Sequence, residues 1–242
     1  MNVDNGRTLT EMTDDVELII FDCDGVLIES EIVVCRIAAE ELTALGYPIT
    51  TEQVIDRFAG RPDREMRAEI EADMRRPLPD DYKLRVDRRT EEAYGEELRI
   101  MAGVNEALDA IDKPICVASS SFPEKLKMGL QQVGLYERFA PNVISATAVA
   151  RGKPEPDVFI FAAGWMHVSP AKCLVIEDSV PGVRSAVRAG MRVFGFTGGA
   201  HSRPGHGSAL TNAGAELIFG EMRKLPDLVH AVEDLSTKLV DV

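Results

Sequence analysis

Six short apolar runs punctuate the chain: ELIIF at 17–21, PICVAS at 114–119, NVISA at 142–146, CLVIE at 173–177, RVFGF at 192–196 and AELIF at 215–219. None alternates apolar with polar, so each predicts a strand buried on both faces, the mark of a parallel sheet covered by helices. Helical patterns lie between them. Pro123 to Gly134 carries Leu126, Leu130 and Val133 on one stripe, and Pro181 to Gly190 opens on Pro and closes on Gly, the asymmetry expected of helix ends. Strand alternating with helix predicts an α/β fold with a doubly wound sheet.

The alternation breaks once. From about residue 32 to 100 the pattern is helical throughout: Glu31 to Leu45 closed by Gly46, Thr51 to Phe58, then charged amphipathic segments around 63–76 and 80–98. That stretch is too long for one crossover, so it predicts a second domain, an α-helical cap over 32–100 inserted into a core of 1–31 and 101–242. Hinges are expected near 29–33 and 98–102. An insert beside the carboxyl end of a strand is placed to cover the crevice where open α/β sheets bind ligands.

Composition removes several classes of function. Apolar residues make up 45% of the 242 and charged residues 28%, ordinary globular usage that excludes disorder and collagen-like repeats. There are 27 Lys and Arg against 40 Asp and Glu, a net charge of −13, which argues against nucleic acid as a partner. Even the most basic stretch, 60–89, sets nine cations against eight acids, a mixed solvated surface. The four cysteines form no CxxC pair or zinc spacing, and no apolar run nears the roughly 20 residues a bilayer requires. A reduced cytoplasmic protein is expected, with no membrane partner and a frayed polar extension over the first seventeen residues. Nothing in the sequence reports an oligomeric state.

The chemistry gathers at strand ends. In IIFDCDGVLIESE, 19–31, Asp22 and Asp24 stand two apart, with Cα atoms roughly 6.6 Å apart if the strand persists. Such a pair suits in-line displacement, one carboxylate attacking phosphorus while the other protonates the departing oxygen; the plainer role is a turn or helix cap. Gly25 permits a sharp turn. VASSS, 117–121, sets Ser119, Ser120 and Ser121 before a helix near Pro123, a phosphate cradle or, at Ser121, a simple N-cap. Lys153 in RGKPEPDVF is either a fixed cation for a phosphoryl group or an ordinary surface lysine. Glu177 and Asp178 in VIEDSVPG offer hard oxygen ligands suited to magnesium, though Asp178 and Ser179 can also cap the next helix.

These residues resemble the haloacid dehalogenase superfamily of phosphotransferases, in the branch of β-phosphoglucomutase and small sugar-phosphate phosphatases. All four superfamily motifs occur in order, as DCDGVLIESE, VASSS, GKPEPD and IEDS, and the likeness covers roughly residues 16 to 230. The resemblance implies a Rossmann-like core with a cap and a magnesium-dependent phosphatase of small phosphorylated metabolites. It makes Asp22 the nucleophile that becomes an aspartyl phosphate and Asp24 the general acid and then base. Ser119 and Lys153 would hold the phosphoryl oxygens. Mg²⁺ would be held by Asp22, the Asp24 backbone carbonyl and Asp178, with Glu177 binding directly or through water. In the cap, DRFAGRPDREMR at 56–67 falls where this branch reads its substrate: Gly60 allows a turn, and Arg61 and Arg64 either meet the leaving group or lie on a solvated helix face.

Four other readings follow from the same likeness. A mutase passes the phosphoryl group to a sugar hydroxyl instead of water, but the mutases use a histidine soon after the first motif, and the earliest histidine here is His167. Dehalogenases do without the second aspartate and the metal acids. Phosphonate hydrolases need a cap lysine, for which Lys83 is the sole candidate. A non-catalytic regulatory protein of the same fold would have lost a catalytic group, and none is lost. Of the remaining features, His201 and His206 are expected on a mobile Gly-rich loop, Cys23 as an unreactive thiol facing away from the site, and Trp165 and Met166 as core filling.

Overall fold

The computed structural model describes residues 16–58, 61 and 63–240. All six apolar runs form strands: β1 (Leu18–Phe21), β2 (Ile115–Ser119), β3 (Val143–Ser145), β4 (Cys173–Glu177), β5 (Arg192–Phe196) and β6 (Leu217–Phe219). They make one parallel sheet in the order β3-β2-β1-β4-β5-β6. The edge strands β3 and β6 are shorter than their apolar runs, because pairing on one side only leaves the run ends outside the ladder.

Helices cover both faces, as the runs predict. Ile19 and Phe21 of β1 point into one apolar cluster while Leu18 and Ile20 point into the other. Between β1 and β2 lie α1 (Glu31–Ala44), α2 (Thr51–Phe58), α3 (Asp63–Met74), α4 (Tyr82–Glu97) and α5 (Val104–Ala110). After β2 come α6 (Pro123–Gln132) and α7 (Tyr136–Phe139), and after β3 comes α8 (Asp157–Trp165). Beyond β4 lie α9 (Val180–Arg188), α10 (His206–Ala213) between β5 and β6, and α11 (Leu225–Val240). The first cluster runs without a break from Phe21 and Ile176 on the sheet to Val33, Ile37, Val54, Val86 and Tyr94 on the helices after β1.

The strand order reverses direction between β1 and β4, which opens a crevice at their carboxyl ends, where ligands bind in such sheets. Asp22, Ser119 and Glu177 all stand at that end. Among the described residues no helix is long and apolar enough to cross a membrane.

Two packing expectations need correcting or dividing. Trp165 does not fill the core: it is 51% exposed, stacks on Phe161 and donates from Nε1 to Asn142 Oδ1, because it ends α8 on the helix's outer side. Met166 does pack against the second apolar cluster. Gly60 and the first fifteen residues lie outside the described residues.

Candidate active site

β1 ends at Phe21, yet Asp22 remains tied to the sheet through its N–H, which donates to the Ile176 carbonyl at 3.0 Å. The chain then turns: Leu27 N–H reaches the Cys23 carbonyl and Gly25 N–H the Ile28 carbonyl, each at 2.9 Å. This turn, more than strand continuity, sets both aspartates toward the crevice while Cys23 packs into the apolar cluster. Burial, reinforced by Asp24 and Asp22, drives the Cys23 thiol well above its ordinary pKa. Gly25 sits at φ +77°, and a Cβ there would fall 1.9 Å from Asp178 Oδ2. Gly25→Ala is therefore expected to lose about 1 to 2 kcal/mol from backbone strain alone and to displace Asp178. Thermal unfolding and divalent-cation titration of the variant check it; wild-type cation affinity would show that the site tolerates the methyl.

Lys153 is no surface lysine. Its ammonium is buried and donates to Asp22 Oδ1 at 2.5 Å, Glu177 Oε1 at 2.7 Å and the Ala118 carbonyl at 3.2 Å. Glu177 is held from its other side, where Oε2 accepts from the Ser179 N–H at 2.7 Å and the Ser179 hydroxyl at 2.9 Å. The Ser179 hydroxyl also accepts from the Gly182 N–H, capping α9. A Cβ on Gly182 would lie 1.6 Å from Glu177 Oε1, so only glycine lets the helix begin this close to the acid.

Asp22, Glu177 and Asp178 each place a carboxylate oxygen within 4.8 Å of the others. Burial holds the Asp22 carboxyl well above the usual range; Lys153 pulls it down, and Glu177 and Asp178 push it further up. Burial opposes the charge on Lys153, but Asp22 and Glu177 outweigh it and keep the ammonium protonated. Three buried acids against one lysine leave excess negative charge, and their hard oxygens fit a divalent cation.

Asp24 is ionised in a different way. Its oxygens accept from the Ser30 and Ser121 hydroxyls, each at 2.6 Å. Burial acts against its charge, but Lys125 and those two hydroxyls hold its pKa below the ordinary value. Ser121 is therefore not the N-cap of α6; that place falls to Phe122, and the Ser121 hydroxyl is spent on Asp24. The buried Ser119 hydroxyl accepts from the Ser121 N–H at 3.1 Å. Ser120 and Ser121 open onto a cavity of about 810 Å³ whose other walls include Arg61 and Arg64. Arg61 pairs there with Glu69 at 2.8 Å and Glu65 at 3.6 Å, whereas Arg64 is exposed.

The two loop histidines are placed otherwise than expected. His201 lies largely buried with Nε2 3.0 Å from Asp178 Oδ2, and His206 Nε2 is 2.6 Å from the Asp178 carbonyl. The loop after β5 folds back over the strand end, supplying the acidic partner that no neighbour in sequence offers. Burial opposes protonation of His201, but Asp178 more than offsets it and raises its pKa. Two more site residues went unread in the sequence: Lys125 on α6, and Glu31 at the start of α1. Burial, together with Asp24 and Asp178, pushes the Glu31 carboxyl up to about 7.

The model of the haloacid dehalogenase-like hydrolase family matches residues 16–190, most of the chain, including Asp22, Asp24, Ser119, Lys153, Glu177 and Asp178. The chain belongs to this family. The hydrolase is 28% identical to 6-phosphogluconate phosphatase of Escherichia coli over 89% of its own length and 96% of that protein. It is 30% identical to a phosphorylated carbohydrates phosphatase of Thermotoga maritima over 83% and 92% of the two chains. A solved structure, a conserved haloacid dehalogenase-like protein of Agrobacterium tumefaciens, superposes with a TM-score of 0.86 at 39% identity, covering 90% of this chain and 99% of that one.

Proposed function

We propose that this hydrolase is a magnesium-dependent phosphatase of a small phosphorylated carbohydrate, acting through an aspartyl phosphate on Asp22. The observation that carries the reading is the Lys153 contact with both Asp22 and Glu177, which fixes a buried carboxylate two residues from Asp24, itself bonded to the cavity-lining Ser121. Relatives named as phosphatases of 6-phosphogluconate and of phosphorylated carbohydrates support the substrate class.

Asp22 attacks phosphorus, the bond to the leaving oxygen breaks, and Asp24 hands that oxygen a proton. Because Lys125 and the Ser121 and Ser30 hydroxyls hold Asp24 ionised at rest, its proton must be taken up as substrate enters. In the second half Asp24 takes a proton from water, whose oxygen attacks phosphorus, releases phosphate and frees Asp22. Ser119, Lys153 and the N–H groups opening α6 hold the phosphoryl oxygens. Mg²⁺ would be held by Asp22, Asp178, the Asp24 carbonyl and Glu177, and supplies charge neutralisation to the phosphoryl group. The helices over 32–100 act as a cap, with Arg61 and Arg64 of its wall facing the leaving group. Four buried free thiols suit a reducing cytoplasm.

Hydrolysis is favoured over phosphoryl transfer to a sugar because no histidine precedes His167, and His201 and His206 contact Asp178, not Asp24. The test is phosphate release from a panel of sugar and sugar-acid phosphates. Release is expected with Mg²⁺, absent with chelator and restored on adding the ion back. Silence across the panel, or bisphosphate-dependent isomerisation with little free phosphate, would overturn the reading.

A further inference from the structure

The loop between β5 and α10 brings to Asp178 two histidines that the phosphoryl chemistry leaves unused. The His201 side chain is only 10% exposed and sets Nε2 3.0 Å from Asp178 Oδ2. His206, the first residue of α10, sets Nε2 2.6 Å from the carbonyl of the same aspartate. A carbonyl oxygen only accepts, so this nitrogen donates, while Nδ1 meets the Ser202 hydroxyl at 2.9 Å. One loop thus holds Asp178 at its side chain and at its backbone. The room for this is made by two glycines. A Cβ on Gly25 would lie 1.9 Å from Asp178 Oδ2 and 2.9 Å from His201 Cε1. A Cβ on Gly199 would lie 2.6 Å from Cε1 and 2.7 Å from Nδ1 of the same ring. The turn after β1 and the loop after β5 both give up a side chain where the imidazole sits.

We infer that His201 is a positioning residue for the cation site: by bonding Asp178 Oδ2 it stops the carboxylate from rotating and leaves the other oxygen to an ion shared with Asp22 and Glu177. His206 fixes the backbone from which that carboxylate projects. This rests on the magnesium-dependent reading above and adds to it groups that never touch the ion. Asp22 and Glu177 repel an ionised Asp178, so an unpinned carboxylate would swing away from them and have to be brought back when the ion binds. Holding it beforehand removes that ordering cost, as the outer partners of ligating carboxylates do. His201 is not itself a ligand: the three acids converge without it, and magnesium takes oxygen donors in preference to imidazole. Nor does it serve the proton transfers, since its bond is to Asp178 and not to Asp22 or Asp24.

The experiment titrates Mg²⁺ alone into the full chain by calorimetry, for wild type, His201→Leu, His201→Gln and Arg203→Gln, with melting temperatures to show that each is folded. His201→Leu is expected to bind the ion about tenfold or more weakly, and His201→Gln, which keeps an N–H near the place of Nε2, to stay within about threefold of wild type. Arg203 lies on the same loop but reaches to Asp56 of α2 at 2.9 Å, so Arg203→Gln disturbs the loop away from Asp178 and should leave the affinity unchanged. Gly199→Ala keeps His201 but drives its ring from this place, and should weaken binding in the same direction even where His201→Leu fails to fold. In phosphate release, His201→Leu should need about tenfold more Mg²⁺ yet recover kcat at saturating ion, with KM for the ester unchanged. Affinity in His201→Leu equal to wild type or tighter would overturn the assignment, since the ring would then be idle or compete with the ion. Equal losses in His201→Leu and His201→Gln would do the same by making the ring a ligand or mere filling, and so would an equal loss in Arg203→Gln. Wild type that binds Mg²⁺ but releases no phosphate sinks the phosphatase reading alone; wild type that binds no Mg²⁺ sinks both.

Discussion

Asp22→Asn is expected to fold, to release phosphate at least about 10⁵-fold more slowly than the wild type, and to melt at an equal or higher temperature at neutral pH in chelator. The amide keeps the shape and an acceptor for Lys153 but has no anionic oxygen with which to form the aspartyl phosphate. The stability change follows from the raised pKa of Asp22, caused first by burial and then by Glu177 and Asp178 working against Lys153. An acid whose folded pKa lies above its unfolded one contributes fully below the unfolded value, and that contribution is lost as pH rises toward the folded value. Ionised Asp22 is thus a liability of the cation-free fold at neutral pH, and Asn, which does not titrate, removes it. Wild type and variant should converge in acid and separate in the variant's favour as pH rises. Melting temperature against pH in chelator, with phosphate release in Mg²⁺, checks both halves. Retained turnover would remove Asp22 as the nucleophile; a variant much less stable at neutral pH would show that the Lys153 attraction outweighs burial.

The sheet could be read from the chain because parallel strands covered on both faces need no alternation, and runs such as LIIF, wholly buried here, have few other uses. The charged helices α3 and α4 were legible too, since each keeps an apolar stripe amid its charges. The placement of Asp22, Ser119, Lys153, Glu177 and Asp178 together follows from topology, because parallel strands deliver every strand-end residue to one edge. Lys125 and the histidines were not legible, for a physical reason. Their partners come from other elements: Lys125 acquires meaning only when α4 packs across α6, and His201 only when the loop after β5 folds over β4. Within the sequence Lys125 is one more lysine on an amphipathic helix, and His201 one more residue in a glycine-rich loop. Trp165 misled in the opposite direction, since its size suggests burial whereas its place at the end of α8 leaves half of it in water.

Lys153→Met should be the most destabilising substitution at the site, by about 3 to 5 kcal/mol in chelator, because it leaves buried Asp22 and Glu177 beside Asp178 with no counter-charge. The ammonium's own pKa is raised above its ordinary value, so its contribution is fully present below the unfolded lysine pKa and vanishes only as pH climbs through the folded one. Across the working range the loss is therefore complete, and its pH dependence comes from the acids it deserts. As pH falls through the raised Asp22 pKa, that carboxyl takes up a proton and the variant's deficit should shrink. A divalent cation offers the same acids another counter-charge, so the gap in melting temperature between variant and wild type should also narrow when Mg²⁺ replaces chelator. Activity should nevertheless stay at least about 10³-fold down, since an ion bound to the acids does not restore a cation at the position Lys153 holds against Asp22. Equal melting temperatures in chelator would show that Asp22 and Glu177 do not depend on Lys153, and the cation would then have no charge imbalance to correct.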